Sequence, residues 1–304
     1  MSYRQLTERF THLHHLAHLG AICGWDRATM MPDGGNEARA AALAELSVLM
    51  HERLTASELA EWFTVAKGEP LQPHEQRSLL EMHRQWQQAS VLPADLVQAK
   101  SLAGSRCEHA WREQRSNNDW QGFLANFRQV VALSREEAAI RGADSGLRPY
   151  DSLLDLYEPG MSSARLDTLF GELKGWLPDL IQQVTRRQQG ESLSRPQGPF
   201  AIDKQAALGR EVMSLLGFDF QRGRQDVSVH PFCGGVPSDV RITTRYDEQD
   251  FTQSLMGIIH ETGHARYEQG LPVETLMLPV GQARSMGIHE SQSLDRKSTR
   301  LNSS

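Results

Sequence analysis

Residues 258–264 read Ile-Ile-His-Glu-Thr-Gly-His, and they restrict the chain more than any other stretch. Two histidines four apart on a helix leave the same face one turn apart, so His260 and His264 can hold one metal ion between them. Glu261 directly follows the first histidine, where a carboxylate reaches a metal-bound water rather than the metal itself. Zinc lowers the pKa of such a water to about 7, and the neighbouring carboxylate takes its proton as it attacks a carbonyl. The same three residues also fall together by chance on exposed helices, so the flanks decide. Phe251, Leu255, Ile258 and Ile259 recur at helical spacing, which predicts a helix with one buried side. Asp247 or Asp250 caps its start, and Gly270 followed by Pro272 ends it. Gly263 in the helix interior costs about 1 kcal/mol relative to alanine. A small residue there makes sense if something must come close to the backbone beside the metal.

A catalytic zinc takes three protein ligands and leaves one position for water. The third should lie downstream, and the chain offers Gly287-Ile288-His289-Glu290-Ser291-Gln292-Ser293. Either His289 or Glu290 serves chemically. Ser285 caps a helix here, which places Glu290 within its first turns and favours it as the third ligand. The expected donors are His260, His264 and Glu290, with Glu261 as general base. Zn2+ is the expected ion, although Co2+ or another divalent metal suits the same donors.

The helix HETGHARYEQGLP followed by GQARSMGIHESQS resembles the carboxypeptidase Taq family of metallocarboxypeptidases. Asp239-Val240-Arg241-Ile242-Thr243 is similar to that family's Asp-x-Arg-x-Thr motif. Trp25-Asp26, Met31-Pro32 and Gly34-Gly35 with Arg39 are similar to its N-terminal region. The resemblance implies that His260, His264 and Glu290 bind the metal, and that Glu261 acts as general base and acid. It further implies a mainly α, multi-helix zincin-like fold, release of a C-terminal residue from a peptide substrate, and a homodimer when full length. An endopeptidase or aminopeptidase with the same metal chemistry is the first alternative. A non-catalytic zinc-binding fragment is the second.

A chain of 304 residues suffices for one large domain or two small ones. Its 32 basic and 38 acidic residues give a formal charge of −6, which argues against a nucleic-acid partner. Cys23, Cys107 and Cys233 are odd in number and far apart, as expected of reduced thiols in a cytoplasmic protein. The first twenty residues lack the basic start and apolar core of a signal peptide. No apolar run approaches the roughly 20 residues needed to span a membrane.

Helices are expected over about 3–19, 36–67, 73–89, from Pro93 toward Gln114, over 120–141, 151–156 and 164–189, and from Asp203 to Leu216. His12, His14, His15 and His18 crowd the first, where surface histidines are the simpler reading than a second metal site. Gly24-Trp25-Asp26 reads as the start of a turn region, Asn36 and Asp203 as caps, and Pro178 as a kink or split. Gly190 to Gly198 reads as a surface loop. Val227–His230 and Val240–Tyr246 alternate and are β-branched, which predicts a small β-hairpin beside the zinc helix. Its edge is a candidate wall for an extended substrate, with Asp239 and Arg241 on one face.

The expected domain is 1–294, the N-terminal part of a single metallocarboxypeptidase domain and incomplete at its C-terminus. The last ten residues, Asp295 to Ser304, are the in-frame translation of GATCGGAAGAGCACACGTCTGAACTCCAGT, a common sequencing adapter. Residues 295–304 are therefore expected to be an artefact tail and are set aside from the fold. The family's later motifs, Ile-Arg-x-x-Ala-Asp and Gly-x-x-Gln-Asp-x-His-Trp, are absent from the sequence. An arginine there is a natural partner for a substrate's terminal carboxylate.

Overall fold

The computed structural model describes residues 1–191 and 196–299, with side chains as far as Asp295. Residues 192–195 of the expected surface loop and 300–304 of the expected tail lie outside the described residues. The helices are α1 (Ser2–Thr29), α2 (Asn36–Leu54), α3 (Glu58–Ala66), α4 (Pro73–Ser90), α5 (Ala94–Ser116), α6 (Trp120–Ser145), α7 (Pro149–Tyr157), α8 (Ser163–Gln188), α9 (Ile202–Leu215), α10 (Phe251–Gln269) and α11 (Met286–Thr299). Strands β1 (Gly223–Val227), β2 (Cys233–Val236) and β3 (Asp239–Thr244) complete a mainly α fold. α11 continues past Leu294 as far as Thr299.

The differences from the sequence expectations have local causes. α1 does not end near Leu19 but runs through Gly24-Trp25-Asp26 to Thr29. Trp25 falls on the buried side, and its burial offsets the modest cost of a helical glycine. The helix stops short of Pro32, which restricts the residue before it. The expected helix over 36–67 is two, α2 and α3. Thr55 turns its hydroxyl back onto the His51 carbonyl, and the break lets Leu59 and Phe63 fold onto Leu6 and Phe10. Asn36 is a buried first helical residue rather than a cap. Asp203 lies inside the first turn of α9, where Ala201 is the capping position. α8 holds Pro178 without splitting and buries none of its residues, so the carbonyl that the proline leaves unpaired faces water.

The sheet corrects the expected hairpin. β2 and β3 form it, antiparallel, with Gly235 at φ +87 opposite Val240. Of the expected upstream strand Val227–His230 only Val227 is in a strand, as the last residue of β1, which pairs with β3 in parallel, so β3 is central. A parallel pair needs a crossover, and residues 228–238, with β2 among them, supply it.

Two apolar clusters hold the molecule. Leu6, Phe10, Leu13, Leu59, Phe63, Leu79 and Met82 join α1, α3 and α4. Met213, Phe218, Val240, Ile242, Ile258 and Ala265 join α9, β3 and α10. The second cluster seats the histidine-bearing helix on the sheet.

Candidate metal centre

α10 is fixed from its first residue. The Asp250 carboxylate accepts from the Thr252 backbone N–H at 3.0 Å, which caps the helix. One turn on, the buried Ser254 hydroxyl donates to Gln205 of α9 at 2.7 Å. Ile258, Ile259 and Thr262 are buried on the far side of the helix. His260 and His264 are left on the other side with ring centroids 5.0 Å apart.

α11 faces them. The Ser285 hydroxyl accepts from Ile288 N–H at 3.0 Å, as a helix cap should. Glu158, just beyond α7, accepts from Gly287 N–H at 2.9 Å and from the Ser285 hydroxyl at 2.8 Å. Arg284 donates to Glu81 of α4 at 3.1 Å. The helix then crosses α10 at Gly263. A Cβ on Gly263 would stand 2.6 Å from Gln292 O and 2.9 Å from Ser293 N, so glycine is what permits the approach. The object that comes close beside the histidines is thus the backbone of the helix bearing Glu290.

That approach brings the donors together. Glu290 Oε1 is 3.7 Å from His260 Nε2, and its Oε2 is 3.3 Å from His264 Nε2. One donor atom from each residue lies within 4.8 Å of the others, and this is the set able to hold a metal among the described residues. Donors about 2.0–2.2 Å from a shared tetrahedral ion stand about 3.3–3.6 Å apart; the His264–Glu290 distance lies in that range, and the His260–Glu290 distance is slightly longer. Glu261, between the two histidines in sequence, is buried at 7% exposure. Burial, and then the charge of Glu290, push its carboxyl up to about 7. Burial, then His289 and His260, lower the pKa of His264, which favours the neutral ring a metal requires.

His289, the other candidate third ligand, stands behind His264. Its Nδ1 is 2.6 Å from His264 Nδ1, and its Nε2 is 2.8 Å from Glu268 Oε1. Both of its ring nitrogens are engaged there, away from the Nε2 side that faces Glu290. Sequence reasoning missed Glu268 and Glu158. Glu268 carried a signal, since it follows His264 by four residues on the same helix face. Glu158 carried none, being 129 residues from the amide it holds.

Residues 5–295 match the family of carboxypeptidase Taq (M32) metallopeptidases. The chain belongs to that family. Thermostable carboxypeptidase 1 of Thermus thermophilus is 39% identical over 96% of this chain and 60% of its own length. Carboxypeptidase 1 of Bacillus subtilis is 33% identical over 92% of this chain and 56% of its own. Among solved structures, metallocarboxypeptidase 1 of Trypanosoma cruzi is 43% identical with a TM-score of 0.88, covering 98% of this chain and 60% of that one. The M32 carboxypeptidase of Deinococcus radiodurans R1 is 33% identical with a TM-score of 0.83, over the same shares of the two chains. The chain thus spans about three-fifths of the length of the relatives it matches. Membership of a metallopeptidase family implies a divalent metal, and the three donors are where one fits.

In this M32 family member the two outlying stretches that carry the family resemblance meet. Arg241 donates twice to Asp239, at 2.9 and 2.7 Å. Its guanidinium lies 4.5 Å from the Trp25 ring centroid. The Arg241 hydrogen bond holds the Asp239 carboxyl below the usual carboxylate range. Beneath Trp25, Arg39 pairs with Asp26 at 2.8 Å. Thr243 is fully buried and accepts from Phe232 N–H at 3.0 Å, which pins the loop leading into β2. The Asp-x-Arg-x-Thr residues therefore tie α1 to the sheet that packs against α10. Among the described residues, no helix is long and apolar enough to cross a membrane.

Proposed function

We propose that this chain carries the metal centre of a zinc-dependent metallocarboxypeptidase that hydrolyses the C-terminal peptide bond of peptides. The observation that carries the reading is the convergence of His260, His264 and Glu290 within 4.8 Å, with buried Glu261 alongside. Two imidazoles and one carboxylate are a donor set that catalytic zinc uses. A divalent ion held there supplies Lewis acidity to a scissile carbonyl and to water. Glu261 would take a proton from water attacking there and hand it to the leaving amine. A carboxyl whose burial raises its proton affinity suits a group that both accepts and returns a proton. The names of the relatives support the exopeptidase assignment, and the free thiols Cys23, Cys107 and Cys233 support a cytoplasmic setting.

One observation favours a second reading, a metal-binding piece without turnover of its own. α8 buries nothing, and Phe170, Trp176, Leu177 and Ile181 on it are exposed. Zn2+ titration of this chain, followed by hydrolysis of an N-blocked dipeptide with Glu261→Gln as control, separates the two. One equivalent bound, with turnover lost only in Glu261→Gln, supports the enzyme. Binding without turnover supports the second reading. No binding, or an active Glu261→Gln, defeats the metal-centre assignment.

A further inference from the structure

His289 and Glu268 contact no donor of the Nε2 set, yet they form a continuous chain behind one of its members. His264 Nδ1 meets His289 Nδ1 at 2.6 Å, and His289 Nε2 meets Glu268 Oε1 at 2.8 Å. All three side chains are shielded from water, at 15, 12 and 22% exposure. Tyr267 packs its ring against His289 with centroids 4.7 Å apart and restricts its rotation.

Hydrogen-bond roles fix the protons. An ionised carboxylate only accepts, so His289 Nε2 carries a hydrogen and donates to Glu268. A neutral His289 then has an unprotonated Nδ1, which only accepts. The 2.6 Å contact therefore requires His264 Nδ1 to carry its hydrogen and donate. His264 Nε2 is left with a lone pair, on the side where Glu290 Oε2 stands 3.3 Å away. With two neutral rings, this is the arrangement that satisfies both contacts, and it is the one that makes His264 a metal ligand.

We infer that His289 and Glu268 are positioning residues that set the tautomer and orientation of His264 for metal binding. The inference rests on the metal-centre reading above. It differs from a plain packing role in what it asks of each partner. His264 needs an acceptor at the His289 Nδ1 position, and His289 needs a carboxylate at Glu268. α10 supplies Glu268 four residues after His264, while α11 supplies His289 next to Glu290. Docking the two helices thus places the third ligand and selects the tautomer of the second in one event.

The test measures Zn2+ affinity of the 304-residue chain by chelator competition, with thermal melts of the metal-free proteins alongside. Removing the outer partner of a metal-bound histidine typically weakens binding about 10–100-fold. His289→Leu should fall in that range. His289→Asn places an amide oxygen near the lost Nδ1 and should recover to within about threefold of wild type. Glu268→Gln keeps the shape but replaces a carboxylate that only accepts by an amide that presents either its oxygen or its N–H, so the hold on the tautomer loosens and affinity should fall by up to about tenfold. Ring 15N shifts of His264 should show Nδ1 protonated in wild type and mixed tautomers in Glu268→Gln. If His289→Leu fails to fold, the His264 ring 15N shifts of Glu268→Gln decide: a tautomer as fixed as in wild type overturns the inference. Wild-type affinity in both Glu268→Gln and His289→Leu overturns the inference. So does equal weakening in His289→Asn and His289→Leu, which is a packing effect. Glu290→Gln separates the two layers. If it abolishes Zn2+ binding while the outer variants change nothing, only the positioning role fails. If wild type binds no Zn2+, the metal-centre reading fails and takes this inference with it.

Discussion

Replacing Gly263 with alanine sets helix propensity against a ligand's position. In isolation the change should stabilise α10 by about 1 kcal/mol. In the fold, the new Cβ would stand 2.6 Å from Gln292 O, whereas ordinary contact begins at 3.4 Å. The Ser293 Cα stands closer still, so α11 must retreat by at least about 0.8 Å at this crossing, since repulsion rises steeply inside the van der Waals minimum. Glu290 lies less than one turn from Ser293 and moves with it. Metal sites tolerate about 0.2 Å in ligand distance, so the shift exceeds what His264 and Glu290 can share. Overpacking costs about 1–3 kcal/mol, and the propensity gain leaves a net loss of about 0–2 kcal/mol. Zn2+ affinity should fall about 10–100-fold, more than the change in melting temperature suggests. Gly257→Ala on the same helix is the control. Its Cβ meets nothing nearer than 3.8 Å, so it should gain stability and bind as wild type. Melts and chelator competition on the pair decide. If Gly263→Ala binds Zn2+ like Gly257→Ala and melts as high, α11 does not depend on that glycine for its approach.

Glu158→Ala removes the acceptor for Gly287 N–H and the Ser285 hydroxyl, a loss equivalent to a helix cap at about 1–2 kcal/mol. Urea midpoints should show that loss, and Zn2+ affinity should fall with it, whereas Glu158→Gln should keep part of both. Asp250→Ala should cost about 1 kcal/mol through the start of α10, measured by the same midpoints. His83 sits 5.0 Å from the Phe63 ring and 5.3 Å from Trp86, and burial, then Lys67, lowers its pKa below the ordinary 6.5. Below pH 6.5 the unfolded chain takes up a proton that the folded chain resists, so stability falls as pH drops and is unaffected above that point. Urea midpoints at pH 7.5 and 5.5 should therefore differ less in His83→Gln than in wild type, and an equal difference refutes the assignment.

The convergence of the histidine donors was legible because their spacing is local. His260, Glu261 and His264 occupy one turn, and helix period alone places the imidazoles together. Glu290 needed a second stretch and the family resemblance, since periodicity offers no reason for α11 to cross at Gly263 rather than elsewhere. Element types were largely readable where capping and breaking residues agree, as at Pro73 and at Asp119, whose carboxylate accepts from Gly122 N–H at 2.9 Å. They were misread where tertiary contacts override a local signal. Trp25 continues α1 because its ring is covered by Arg241 from the sheet, a residue 216 positions away. The sheet was readable only at β3, since β1 and β2 carry one β-branched residue each and are held in the sheet by their pairing with β3.

α11 is pinned to both apolar clusters at once. Its backbone crosses α10, which belongs to the second cluster, while Arg284 just before it is tied to Glu81 of α4, a helix of the first. Proteins open in cooperative units of unequal stability. An opening of either cluster separates Glu290 from the histidines, so the site survives only as long as the less stable of the two. Native-state hydrogen exchange at the Glu290 amide should then follow whichever unit opens at the lower free energy, however firmly the other stays closed.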